Sequence, residues 1–255
     1  MLIPRIFHQI WVGPDPFPEE FAAYQTTWIR HHPEWELRFW TEENLPADLE
    51  RKETYELLRR PAERADILRL ELLHRHGGVY VDVDFECLRP LDPLLEDVDF
   101  FAGYRKPRRP NNAILGSVPG HPVLAQAIRE IRPRTTYGPV DKKRTGPLFL
   151  RRLLREHPEV TIFEQAVFYP WTAEEMERAY AVHHQARTWQ DPKTLSKRLV
   201  GTERLLREAR DELAVWQTRC ERAEAELAEL RGRSSSVRRL SLSRAARLAR
   251  RAARS

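Results

Sequence analysis

Residues 77–86 read Gly-Gly-Val-Tyr-Val-Asp-Val-Asp-Phe-Glu, and this run limits the possible folds more than any other stretch of the chain. A glycine pair ends a helix and turns tightly into a strand, because glycine alone adopts left-handed backbone without strain. The strand then alternates with period two, which predicts one continuous strand over residues 79–88. Tyr80, Asp82 and Asp84 fall on one face, with Val79, Val81, Val83 and Phe85 on the other. Acids are poor strand formers, and two on one face repel unless a positive charge lies between them. A hard divalent cation suits that arrangement, and one that keeps open positions also takes phosphate oxygens. The plainer alternative is an amphipathic edge strand with solvated acids.

The elements around this run alternate. Arg5 to Val12 reads as a strand stopped by Gly13-Pro14-Asp15-Pro16. Pro18 to His32 has helical apolar spacing at Phe21, Tyr24 and Trp28. A strand is expected at 35–40, a helix at 62–76, strands at 100–104 and 113–117, and helices at 122–131 and 147–157. Late strands follow at 160–163 and 180–184. Strands alternating with helices predict an α/β domain with a largely parallel sheet. Ligands of such sheets gather at the C-terminal ends of strands, where Asp84 lies.

Charge separates the body from the C-terminus. The chain has 43 Lys and Arg against 38 Asp and Glu. Residues 231–255 hold nine arginines and no acid, which leaves 34 basic against 38 acidic side chains in the body, a net of −4. A mildly acidic body without an RNA-reading motif weighs against a nucleic-acid partner. The two cysteines, Cys87 and Cys220, make no disulfide framework. With no signal-peptide pattern at the N-terminus and no apolar run of membrane-spanning length, the expected location is the cytoplasm, peripheral at the inner face of the plasma membrane.

Beyond Asp191-Pro192 a heptad pattern begins. Leu199, Leu206, Leu213, Cys220 and Leu227 recur every seven residues, paired with Thr202, Ala209, Trp216, Ala223 and Leu230. The expected organisation is a catalytic-type domain over 1–192, a coiled coil or long amphipathic helix over 193–231 and a basic tail over 232–255. Residues 199–230 would carry homo-oligomerisation. The tail suits an anionic membrane surface, with a solvated disordered tail as the alternative.

A second constellation is Arg64-Ala65-Asp66-Ile67-Leu68-Arg69. Asp66 and Arg69 share a helix face three residues apart. Either they satisfy each other as an ion pair, or Asp66 accepts from ligand hydroxyls while Arg69 meets a phosphate or a neighbouring carboxylate. Trp11, at the end of the first strand, is placed to stack a flat ring or to fill the core. His183, His184 and Trp189 close the domain, and a late-strand histidine can ligate a metal, bind a phosphate or be structural.

Taken in order, these residues resemble glycosyltransferase family 32, the DXD sugar-binding glycosyltransferases. The match runs from Ile3-Pro-Arg-Ile-Phe-His-Gln-Ile-Trp11 through Arg64 to Arg69 and Gly77 to Asp84. It continues through Asn111-Asn112, Pro119-Gly-His-Pro122, Thr145-Gly-Pro147, Phe168-Tyr-Pro170 and Val182-His183-His184 with Trp189. It covers roughly residues 3–190. The resemblance implies a GT-A fold, a UDP- or GDP-sugar donor, Mn²⁺ or Mg²⁺, retention at the anomeric carbon, and a glycan or lipid-linked acceptor. It implies Asp66, Arg69, Asp82 and Asp84 as catalytic residues and Asp84, Asp82 and His183 as metal ligands. Trp11, Tyr80, Asn112 and Trp189 are implied on the donor.

Two other classes remain open at this point. A DxD phosphotransferase would use Asp82 as a nucleophile, but such motifs read Asp-x-Asp-x-Thr or Asp-x-Asp-x-Val near the N-terminus, whereas here the motif begins at position 82 and Asp84 is followed by Phe85-Glu86. A scaffold acting through the coiled coil and tail would not need Asp66, Arg69, Asp82 and Asp84.

Overall fold

The computed structural model describes residues 2–131, 145–185 and Arg222. Contacts divide the chain into residues 1–189 and 190–255. The predicted coiled coil, the basic tail and Trp189 lie outside the described residues, Arg222 apart.

The body is a six-stranded sheet in the order β2-β1-β3-β6-β5-β7. The strands are β1 (Ile6–Ile10), β2 (Glu36–Trp40), β3 (Gly78–Val81), β5 (Phe100–Lys106), β6 (Arg109–Ser117) and β7 (Thr161–Phe163). β1 pairs in parallel with β2 and β3, and β5 with β7. β6 runs antiparallel to both β3 and β5. Five of the six strands therefore point one way, and their C-terminal ends form one edge. β6 begins at that edge.

Helices cover both faces. Tyr80, Phe100, Ala102 and Leu115 face the layer of α3 (Pro61–His76), α4 (Pro122–Glu130) and α5 (Pro147–Leu154). Phe7, Val79, Val81, Phe101 and Ile114 face the other layer, with Trp28 of α1 (Glu19–His31) and Phe168 of α6 (Gln165–Phe168). The alternation of the strands thus sorts side chains between two apolar layers. Three short helices, α6, α2 (Lys52–Leu57) and α7 (Ala173–Arg178), were not expected. α7 carries a capping box between Thr172 and Glu175.

The glycine pair behaves as expected. Gly77 caps α3 at φ 63°, its N–H bonded to the Leu73 carbonyl at 2.8 Å. A Cβ at Gly78, φ 94°, would stand 2.5 Å from the Ile6 carbonyl oxygen, so the approach of β3 to β1 requires glycine there.

The single acidic strand over 79–88 is corrected. β3 stops at Val81. Residues 82–84 form a turn closed by the Phe85 N–H on the Asp82 carbonyl at 3.1 Å. The chain resumes as β4 (Phe85–Cys87), which leaves the main sheet and pairs antiparallel with β8 (Ala181–His183). Tyr80 and Asp82 still share a face, but Asp84 sits on the turn.

Candidate active site

The carboxylates meet at the C-terminal edge because three elements end or begin there. α3 delivers Asp66 and Arg69, β3 delivers Asp82, and β6 enters with Asn111 and Asn112. The Asp82 N–H donates to the Ala113 carbonyl at 2.8 Å, locking the turn to β6.

Arg69 is buried at the centre. Its Nη2 is 3.2 Å from Asp66 Oδ1 and its Nη1 3.3 Å from Asp82 Oδ1. It also donates to the Asn112 carbonyl at 2.6 Å and to the Ala65 carbonyl at 3.2 Å, and lies 4.4 Å over the Tyr80 ring. Of the two expected partners for Arg69, phosphate or a neighbouring carboxylate, the structure shows the carboxylates. Asp66 accepts from Asn112 Nδ2 at 2.7 Å and from Thr145 Oγ1 at 3.3 Å. That uses three of the roughly four acceptor positions of a carboxylate. Burial pushes the pKa of Asp66 up, and Arg69 works against that push. The same holds for Asp82, with the Asp84 charge adding to the rise.

Tyr80 is buried, and its hydroxyl donates to Asp82 Oδ1 at 2.5 Å. Its contact is with Asp82, so the structure makes it a residue that aims that carboxylate. Among the described residues Asp82 Oδ2 has no partner, and the side chain is 28% exposed. Asn112 likewise aims Asp66 and Arg69. Trp11 lies just past the end of β1, at the same edge. Its indole N–H donates to the Asp15 carbonyl at 2.8 Å and its ring is propped edge-on by Phe17 and Phe21.

The β4–β8 pair brings His183 to Asp84. His183 Nε2 lies 3.0 Å from Asp84 Oδ1, and the His184 N–H donates to the Asp84 carbonyl at 3.0 Å. The His183 ring stacks on Phe85 at 4.4 Å. His184 turns instead to Glu86 at 3.0 Å and stacks on Tyr24.

Asp82, Asp84 and His183 each present a ligand atom within 4.8 Å of the others. Two carboxylates and an imidazole form a donor set that fits a divalent cation. Among the described residues the buried His183 Nδ1 has no hydrogen-bond partner, and the same is true of the Tyr169 hydroxyl. These two rings touch edge to face, with centroids 5.7 Å apart. Two unpartnered buried polar atoms therefore lie side by side near the carboxylates; Gln9, Trp35 and His74 carry others elsewhere. Tyr169 and Thr145 were not expected as site residues. Their only sequence signal was membership of the short Pro-containing motifs around them.

A mostly parallel sheet covered on both faces, with a DxD turn at its C-terminal edge, is the GT-A architecture. The solved structure of PaToxG glycosyltransferase is similar, with a TM-score of 0.50 at 16% identity over 62% of this chain and 70% of that one. Residues 18–101 match the family described as glycosyltransferase sugar-binding region containing DXD motif. Inositol phosphoceramide mannosyltransferase 3 of Schizosaccharomyces pombe is 31% identical over 208 residues, 74% of this chain and 56% of that protein. Mannosyl phosphorylinositol ceramide synthase SUR1 of Saccharomyces cerevisiae is 34% identical over 167 residues, 61% of this chain and 43% of that protein. The chain thus spans about half the length of these curated relatives. It belongs to the DXD-motif glycosyltransferases of family 32.

Proposed function

We propose that the protein is a divalent-metal-dependent, retaining hexosyltransferase. It would move a sugar from a UDP- or GDP-sugar to a glycolipid or other lipid-linked acceptor. The observation that carries this reading is the convergence of Asp82, Asp84 and His183 within 4.8 Å, beside a carboxylate–arginine network already satisfied by the protein. The names of the two relatives, which specify mannosyl transfer to inositol phosphoceramide, support a phosphate-bearing lipid acceptor.

Asp82, Asp84 and His183 would hold the cation. When bound, it supplies charge stabilisation to the departing nucleoside diphosphate. Arg69 opposes the rise that burial gives the pKa of Asp66 and Asp82 and holds both carboxylates in place, so their geometry exists before the donor arrives. Tyr80 and Asn112 aim the two carboxylates. Asp66 retains about one acceptor position for a donor hydroxyl. Trp11, half-buried at the same edge, would stack on the donor base, and Trp189, outside the described residues, is assigned to the diphosphate by the family resemblance alone. The reading also takes residues 199–230 as a self-association segment and 232–255 as a basic segment at an anionic membrane. Both rest on the sequence pattern.

A hydrolysis screen of UDP- and GDP-sugars with Mn²⁺ tests the proposal. Release of nucleoside diphosphate from at least one donor, dependent on Asp84, is the expected result. Inertness toward all of them would refute it. The same screen excludes a purely structural scaffold.

A further inference from the structure

The β5–β6 hairpin carries Arg105, Lys106, Arg108 and Arg109 within five residues, and the sequence has no acid between Asp99 and Glu130. Lys106 to Arg109 are exposed. Elsewhere Arg5, Arg38, Arg64, Arg75, Arg152 and Arg178 each hold a carboxylate. Among the described residues Lys106, Arg108 and Arg109 hold none. A fifth cation joins them, because Arg151 of α5 donates to the Pro110 carbonyl at 3.0 Å. Burial, then the charges of Arg109 and Arg105, lower the pKa of Arg151, which shows the mutual repulsion in the cluster. Like charges gathered without counter-charges repel one another, and an external anion relieves that repulsion.

The position is informative. Arg109 precedes Asn112 by three residues of strand, about 10 Å, so the hairpin tip overhangs the edge that holds Asp66 and Asp82. Leu148, 41% exposed, stands three residues before Arg151 on α5 and shares its face. Exposed apolar surface beside a cationic cluster fits a bilayer surface better than a soluble anion or a nucleic acid.

We propose that the hairpin, with Arg151 and Leu148, docks on the phosphodiester head groups of an anionic lipid bilayer. It would hold the domain so that a lipid-borne acceptor reaches the Asp82–Asp84 edge. The acceptor half of this inference rests on the glycosyltransferase reading above. The docking surface does not.

Vesicle co-sedimentation of the full chain, at low ionic strength, tests it. The probes are phosphatidylinositol in phosphatidylcholine, and phosphatidylcholine alone. Lys106→Gln/Arg108→Gln/Arg109→Gln should bind the anionic vesicles on the order of a hundredfold more weakly than wild type, in line with the contribution of three basic residues near such surfaces. Arg30→Gln/Arg60→Gln/Arg129→Gln removes the same charge from other exposed positions and should lose less than about twofold. Lys106→Gln/Arg109→Gln leaves the left-handed Arg108, φ 56°, untouched and should show an intermediate loss. Equal losses in the hairpin and control variants, or none in the hairpin variants, would overturn the proposal. Competition by glycerophosphoinositol as effective as the vesicles themselves would overturn the bilayer assignment. Donor hydrolysis by the wild type is scored separately. Hairpin-dependent binding without hydrolysis keeps the surface and loses the enzyme, and hydrolysis without hairpin-dependent binding does the reverse.

Discussion

His8 and His183 are both histidines on strands of the same domain, and their rings are used in opposite ways. His8, fully buried between β1, β2 and the end of α3, has both nitrogens engaged. Nε2 is 2.9 Å from the Gly77 carbonyl and Nδ1 accepts from the Trp40 indole at 3.1 Å. The first contact requires a proton on Nε2 and the second a lone pair on Nδ1, so the ring is one neutral tautomer. His183 has one nitrogen on Asp84 and the other buried with no partner among the described residues. A polar group fully satisfied by its own protein holds the fold. One left with capacity, beside two carboxylates, is built for something that arrives later.

The comparison would break first at Asp84. Asp84→Asn keeps the shape and removes the charge that would hold a cation. Steady-state turnover should fall at least about a thousandfold, about 4 kcal/mol in barrier, with the thermal midpoint nearly unchanged. Activity within about tenfold of wild type would place the capacity of that corner elsewhere.

Arg69 sharpens it from the opposite side, because its guanidinium is already held by oxygens of Asp66, Asp82, Ala65 and Asn112. Arg69→Met leaves Asp66 and Asp82 buried without their counter-charge, and urea unfolding should show a loss of about 3–5 kcal/mol. A loss below about 1 kcal/mol would mean that the carboxylates escape to solvent, and that the network does not preorganise the site.

Acid titration reads His8 itself. Burial lowers its pKa from 6.5 to about 4, so the unfolded chain takes up the proton first as pH falls. The stability it contributes is complete above about 6.5 and is lost between there and about 4. By pH 5 the loss should be about 2 kcal/mol. His32, His76 and His121, also lowered by burial, add in the same direction. Urea melts across that range should give a flatter profile for His8→Gln than for wild type. Parallel profiles would show that the His8 ring is already accessible to protons.

The smallest effect is expected at Tyr169. Its buried hydroxyl has no partner among the described residues, so Tyr169→Phe should change stability by less than about 0.5 kcal/mol, since no bond is lost. A kcat drop at unchanged KM for the donor would mark the hydroxyl as acting during transfer. A stability loss above about 1 kcal/mol would reveal a hydrogen bond in the free protein.

Much of this was legible in the sequence. The strand–helix alternation gave the sheet and its covered faces, and Gly77-Gly78 marked the helix-to-strand turn. Asp66, Arg69, Asp82, Asp84, Asn112 and His183 were all singled out, and they do converge. What the sequence did not disclose was pairing. Alternation across Val79 to Leu88 looks continuous because side-chain period carries no information about the partner strand. Phe85–Cys87 pairs with Ala181–His183, nearly a hundred residues away, and that pairing turns Asp84 out of β3. The use of Arg69 on carboxylates and of Tyr80 on Asp82 was hidden for the same reason. Each depends on which oxygens come within 3.3 Å once α3, β3 and β6 are packed. Thr145 and Tyr169 are ordinary residue types, and only their positions beside Asp66 and His183 single them out.

The central claim is that Asp82, Asp84 and His183, whose ligand atoms lie within 4.8 Å of one another, together bind a divalent cation that holds the donor. Isothermal titration of the nucleotide-sugar that the hydrolysis screen selects, with Mn²⁺ and then with a chelator, addresses it directly. Without a cation, the two carboxylates repel the diphosphate. The account predicts that affinity falls at least about a hundredfold, about 2.7 kcal/mol, when the metal is removed, and that Asp84→Asn shows the weak affinity in both conditions. Equal donor affinity with and without the chelator would contradict it.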